Sequence, residues 1–426
     1  MKIETLKKSH LKRNIIIGVV AVLIISVVIL NFTRAKYRTT QSIPLVNGTI
    51  NYKPYDFKLI AMYKESETGE YVEIEQIPNN GYTINIDKSY CEVNNEIDTS
   101  IPINYENGRV FIGVNTAGTK CYLYFVEKEQ TIQDLPDNYA TQLTRNNFSQ
   151  IVTNATTGTI YYADTSKGRT YYFAGNPTDN WVKFAGYYWR IIRINENGSL
   201  RVIYQGTSTN ILGSDTHIGT STFNSSYNDN AYVGFKYTTN NVHGIGTNSN
   251  ILEVLNVWYQ NNLKDYADKI DINAGFCNDR TPYSGNGLGT SATSYKAYYR
   301  LVNNKAPSFE CNNNNDLFTT SGSVDGNKAL QYPIGLITID EVAYAGGVNN
   351  VNNTNYYLYT NQDYWTITPS LYDANGAVLF YIDSTGDINI FGRVIGQRNI
   401  RPVINLRADI ELTGSGTATD PYQLVM

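Results

Sequence analysis

Apolar and polar positions recur at different periods along this chain, and the switches between periods mark its elements. Ile15 to Leu30 is a run of apolar and small residues broken in polarity only by Ser26. With its flanks it reaches about 19 positions, near the roughly 20 that a membrane helix needs. Beyond it the pattern turns to short strands. Tyr71-Val72-Glu73-Ile74-Glu75-Gln76-Ile77 alternates at period two, as a half-buried strand does. Residues 57–63, 82–86, 110–114 and 121–126 read as further strands, with Asn79-Asn80-Gly81 as a turn. From residue 158 onward, 171–173, 181–184, 189–194 and 200–204 read the same way. Asn195-Glu196-Asn197-Gly198 lies between the last two, and Asn-Gly between β-rich runs is a strong hairpin signal because both residues accept positive φ.

Two stretches change to helical spacing. Asn250-Ile251-Leu252-Glu253 offers an N-cap with an acid three residues later. Ile251, Leu255, Trp258, Leu263, Tyr266 and Ile270 then recur at roughly helical intervals. Thr338-Ile339-Asp340-Glu341 is a capping box, and Gly346-Gly347 can end that helix. So short a helix must dock on a core, because it cannot persist alone. The end of the chain is β again. Residues 377–382 and 387–391 flank the turn Asp383-Ser384-Thr385-Gly386, 401–406 reads as a central strand, and 422–425 as a strand closing the sheet near the domain's start.

These elements predict a mixed α+β protein with a cytoplasmic tail at 1–13, a transmembrane helix at 14–32 and a linker at 33–46. A small all-β, sandwich-like spacer domain follows at 47–128, then a polar, partly helical connector at 129–157 and a larger domain at 158–426. Five positive charges precede the apolar run (Lys2, Lys7, Lys8, Lys12, Arg13) and three follow (Arg34, Lys36, Arg38), which favours an N-terminus inside. A cleaved signal peptide is the competing reading. Its exit, Leu30-Asn31-Phe32-Thr33-Arg34-Ala35, is a poor cleavage site.

Composition adds to this picture. All four cysteines lie beyond the run, as Cys91 with Cys121 and Cys277 with Cys311, which predicts two disulfides and an extracellular setting. Eight of the 34 basic residues and one of the 38 acidic residues precede position 39. The remainder carries 26 against 37, a net −11 that repels nucleic acid.

Three motifs in order lead to a resemblance. They are Trp189-Arg190-Ile191-Ile192, then Trp365 followed by the Gly-containing hairpin around Asp383 to Asp387, then Arg401-Pro402-Val403-Ile404-Asn405-Leu406. Residues 158–426 resemble the C-type-lectin-like fold, and more closely a bacterial surface domain related to formylglycine-generating enzymes. That resemblance implies two helices flanking short antiparallel sheets, and a stable core that displays variable loops. It implies no single activity. The Glu-Pro-Asn or Gln-Pro-Asp and Trp-Asn-Asp signatures of calcium-dependent sugar binding do not occur. No Cys follows Cys311, whereas the oxidases use closely spaced thiols near that end.

Chemical candidates are few. Only His217 and His243 lie beyond the apolar run, and His243 reads as an exposed loop residue. No nucleophile elbow, zinc-protease helix or phosphate loop occurs. Asp340 and Glu341 are explained by capping. Asn228-Asp229-Asn230 and the stretches 312–316 and 383–387 offer hard oxygen ligands for calcium, although turn chemistry accounts for the same residues. Aromatic loops are the better lead. In Asn352-Asn353-Thr354-Asn355-Tyr356-Tyr357-Leu358-Tyr359, the residues Tyr356, Tyr357, Asn353 and Asn355 are expected to face solvent and to bind an extracellular glycan or protein. Trp189 and Trp258 read as core, and Trp365 as part of a strand. The resulting expectation is a membrane-anchored surface protein with a recognition head. A structural envelope or pilus-like subunit is the alternative. An enzyme, either an oxidase-like relative or a wall hydrolase, stands behind both.

Overall fold

The computed structural model describes residues 44–45, 48–49 and 58–425, apart from 67–68, 76, 79–81, 107–108, 115, 128–129, 155–156 and 211. The tail and apolar run expected at 1–32 lie outside the described residues, and no described helix is long and apolar enough to cross a membrane. The fold is mixed α+β, mostly strands with few helices. It divides into two compact units between Lys128 and Glu129.

In the first unit, β1 (Lys58–Glu65), β2 (Tyr71–Ile74), β3 (Tyr82–Ile84), β4 (Tyr90–Val93) and β5 (Lys120–Glu127) share one sheet. Strand β5 is its centre. It runs parallel to β1 and antiparallel to β3 and β4. Its alternation buries Cys121, Leu123 and Phe125 against Met62 and Ile84. Cys91 and Cys121 stand directly opposite each other and form a disulfide. Ile103–Glu106 and Arg109–Ile112 make a separate hairpin, whose Ile103 and Val110 join the same core.

The second unit starts earlier than its sequence pattern indicates. Gln130–Thr131 pairs with Glu411–Thr413, and a 3-10 turn follows at Ile132–Asn138, where Ile132 and Leu135 are fully buried. Strand β6 (Thr141–Leu143) then runs parallel to β7 (Thr159–Thr165). Much of the stretch expected to be a connector is therefore sheet and core of this unit. The apolar residues Ile132, Leu135 and Tyr139, spaced by three and four, are the signal that its polar composition hid.

Strands β8 (Gly168–Tyr172), β9 (Trp181–Phe184), β10 (Tyr187–Ile194) and β11 (Leu200–Gly206) continue the first large sheet. The turn between β10 and β11 is the one read from Asn-Gly, with Gly198 at φ 80° and Asn195 N–H donating to Ser199 O. Every residue of β11 is buried, as befits a strand covered on both faces. Helix α1 (Asn250–Asn262) is capped by Ser249 Oγ, which accepts from Leu252 N, rather than by Asn250. It stops at Asn262, and a 3-10 turn at Lys264–Lys269 carries the chain on to Ile270. Helix α2 (Ile339–Ala345) has the expected capping box, and Gly346 at φ 116° ends it.

A second large sheet is built on β12 (Tyr364–Asp373), β13 (Gly376–Ile382) and β14 (Ile388–Arg393). Thr293–Tyr295 and the edge strand Pro282–Ser284 lie beyond β12 on the other side. Strand β15 (Val403–Leu406) pairs with β11, and β16 (Tyr422–Leu424) runs parallel to β9. Trp189 and Trp365 are fully buried in the shared core. Trp258 is only partly buried and packs edge-on against Trp189 and Tyr204.

Candidate functional site

Phe276–Cys277, at the start of Phe276-Cys277-Asn278-Asp279-Arg280, pairs with Leu317–Phe318 and begins a polar spine through the second unit. Asn278 is buried because its amide is fully used: Nδ2 donates to Val233 O and Ile367 O, and Oδ1 accepts from Phe235 N. Cys277 is disulfide-bonded to Cys311. Asp279 accepts from Arg300 at 3.2 Å, and Arg300 grips Asp340 with two bonds of 2.7 Å. Glu341, one residue on, meets Arg201 at 2.5 Å and Arg193 at 3.2 Å, and accepts from Thr338 N at 2.9 Å. The start of α2 thus presents two adjacent carboxylates to three guanidiniums.

Burial tends to raise the pKa of Glu341, but Arg201 and then Arg193 outweigh it and hold the carboxyl below its ordinary range. Burial pulls the Arg300 guanidinium down, while Asp340 and then Asp279 raise it well above its usual value. Arg193, Arg300, Asp279, Phe309, Glu310 and Cys311 help line a cleft here of about 50 Å³. Small-molecule sites run to roughly 300–1,000 Å³. The cleft is too small for a sugar ring or a peptide side chain, and its charges are already paired. What it does is fix loops: Ser308 N donates to Asp340, and Glu310 accepts from Ser166.

The same spine orients a histidine. His243 Nδ1 lies 2.9 Å from Asp316 Oδ2, and Asp316 also accepts from Arg280 Nε and Arg280 N at 2.8 Å. Asp316 is buried, while the His243 side chain is a quarter exposed. The residue expected to be an exposed loop residue is therefore partly buried and tied to a carboxylate 73 residues away. No spacing rule signals such a pair.

The proposed ligand loop is placed differently from expectation. Tyr356 and Tyr357 are each 3% exposed and Asn353 is 1% exposed; of the four residues singled out, Asn355 alone reaches solvent. The physical reason is local satisfaction. Asn353 Nδ2 donates to Val152 O and Gly346 O, which draws the loop inward, and Tyr357 N donates to Gly175 O. The Arg190 guanidinium sits 5.3 Å from the Tyr357 ring. Burial drives the hydroxyl pKa of both tyrosines well above the ordinary value.

Exposed aromatic surface lies elsewhere. Tyr283, on the edge strand Pro282–Ser284, is 52% exposed. Its ring stacks on Tyr299 with centroids 3.8 Å apart and planes 10° from parallel.

The acidic loops use side-chain oxygens in their own turns, and Asp387 Oδ1 is buried without a hydrogen-bond partner. Asp229 accepts from Ala231 N, Asn313 from Asn315 N, and Asp383 from Thr385 N and Asp387 N. Among the described residues no group of three or more His, Cys, Asp or Glu is placed to hold a metal ion. No protein-family model, curated protein or solved structure matches the chain.

Proposed function

We propose that the second unit is an extracellular recognition module that binds a glycan or a protein through surface aromatic side chains centred on Tyr283 and Tyr299. The observation that carries this reading is the half-exposed Tyr283 ring on an edge strand, stacked on Tyr299 of the helical turn Tyr299–Asn303. A tyrosine held flat offers apolar area and a hydroxyl at little entropic cost on binding. The two disulfides fit an extracellular protein. The three motifs at Trp189, Trp365 and Arg401 support a C-type-lectin-like scaffold beneath the surface, and the apolar run at 14–32 supports a membrane anchor with the two units outside.

The test is an array of glycans and of bacterial and host surface proteins, probed with the whole chain and with Tyr283→Ala. Loss of a central aromatic anchor is expected to weaken binding by about 2 kcal/mol, roughly 30-fold. Equal binding by the variant removes Tyr283 from the site. Chelating calcium is expected to leave binding unchanged, because Asp229, Asn313 and Asp383 bond their own turns and Asp316 is taken by Arg280. A signal that vanishes in chelator and returns with calcium would contradict this.

A structural envelope subunit is the second reading. Phe391 on β14 is 57% exposed, and β14 pairs along one side with β13. An edge strand with outward apolar residues is a template for pairing with another chain. Filaments or large assemblies in light scattering of the purified chain would favour it.

A further inference from the structure

The small hairpin formed by Lys236–Tyr237 and Thr247–Asn248 sets Lys236 directly opposite Asn248. Side chains so placed start about 4.5–5.5 Å apart at Cβ, and here they meet. Lys236 Nζ lies 2.6 Å from Asn248 Oδ1, and Asn248 Nδ2 donates to Glu253 Oε1, also at 2.6 Å. Glu253 stands in the first turn of α1, so strand register and helix start together fix the order amine, carboxamide, carboxyl. Lys236 is half-buried, and its desolvation lowers its pKa, favouring the uncharged amine.

We propose that Lys236 and Asn248 are joined by an intramolecular amide bond, with Glu253 as the proton carrier. The uncharged Nζ attacks Asn248 Cγ and a new C–N bond forms. Glu253 takes the proton that Nζ gives up and passes it to Nδ2. The Cγ–Nδ2 bond then breaks and ammonia leaves. Nothing is oxidised or reduced and no co-reactant is required. The reaction occurs once per molecule, so it can be slow, and diffusion of ammonia makes it irreversible. The bond closes the segment from 236 to 248 into a ring. That ring carries His243 and braces it on Asp316, while Arg280 holds Lys236 O and Gly244 O from below. A cross-link at this place would secure the hairpin against proteolysis and pulling, whatever the module binds.

Peptide mapping of the whole chain after reduction tests the bond. Between Arg201 and Lys264 the only tryptic site is Lys236. A linked chain resists cleavage there and yields one 202–264 peptide, lighter than its sequence by one ammonia. Glu253→Gln, with unchanged tryptophan fluorescence, is expected to give the separate peptides 202–236 and 237–264 at their sequence masses. Two linear peptides from the unaltered chain, including a pair in which Asn248 has merely become Asp, would overturn the proposal. A link that persists in Glu253→Gln would overturn the proton route.

Discussion

Glu341→Ala is expected to destabilise the second unit by about 3–5 kcal/mol, since removing one partner of a buried ion pair leaves the other uncompensated. Here the stranded groups are Arg201, almost wholly buried, and Arg193, and Thr338 N loses its acceptor as well. The readout is specific. All four tryptophans (Trp181, Trp189, Trp258, Trp365) lie in this unit, so tryptophan fluorescence during urea unfolding follows it alone. Replacing Arg201 by Met and Glu341 by Leu together is expected to cost less than the two single changes added, because both charges of the tightest pair go together and only Arg193, which keeps Glu196, loses a partner.

The pH dependence follows from the sign of the shift. The folded pKa of Glu341 lies below the unfolded value of about 4.3, so its contribution is complete above that pH. It is lost as pH falls through the folded value. The urea midpoint should therefore fall in acid, and fall less steeply for Glu341→Gln. A midpoint for Glu341→Ala within error of the unaltered chain would refute the role given to this network.

The second large effect concerns the Cys277–Cys311 disulfide. Its sequence separation of 34 corresponds to about 3–4 kcal/mol in the chain-entropy description. The bond also secures the strip that brings Ser308 N to Asp340 and Glu310 to Ser166. Cys277→Ser with Cys311→Ser is expected to lower the melting temperature of the second unit and to increase hydrogen exchange across residues 304–316. An unchanged melt, followed by tryptophan fluorescence, would sink this expectation. Changing Cys91 and Cys121 instead should leave the tryptophan signal in place, because that bond lies within the first unit.

Some of this molecule was legible in its sequence because the deciding forces are local. Asn197-Gly198 marks a hairpin through the positive φ of Gly198 and the Asn197 side chain's bond to Ser199 N, and Thr338 with Glu341 marks a helix start through two reciprocal hydrogen bonds. The cysteine pairs were readable because their spacing and number leave simple pairings. The polar spine was not. Arg193, Arg201, Arg300, Asp279 and Glu341 come together over separations of up to 148 residues, and in the sequence each looks like any other solvated charge. Asp279-Arg280, two residues beyond Cys277, was the one local hint. The tyrosine loop misled for a related reason. Asparagines beside aromatics resemble a binding surface, yet Asn353 uses its amide to bind backbone inside the fold, which places Tyr356 and Tyr357 in the core. Tyr283 and Tyr299 are brought face to face only because Thr293–Tyr295 folds back on Pro282–Ser284 and the following turn returns the chain.

The most direct measurement is array binding of the whole chain beside Tyr283→Ala and Tyr299→Ala, with melting temperatures taken on the same samples. Recognition through this surface predicts specific ligands for the unaltered chain, roughly 30-fold weaker binding by Tyr283→Ala, and an unchanged melt for that variant. Specific binding that both variants retain in full would contradict it and place the site on another surface.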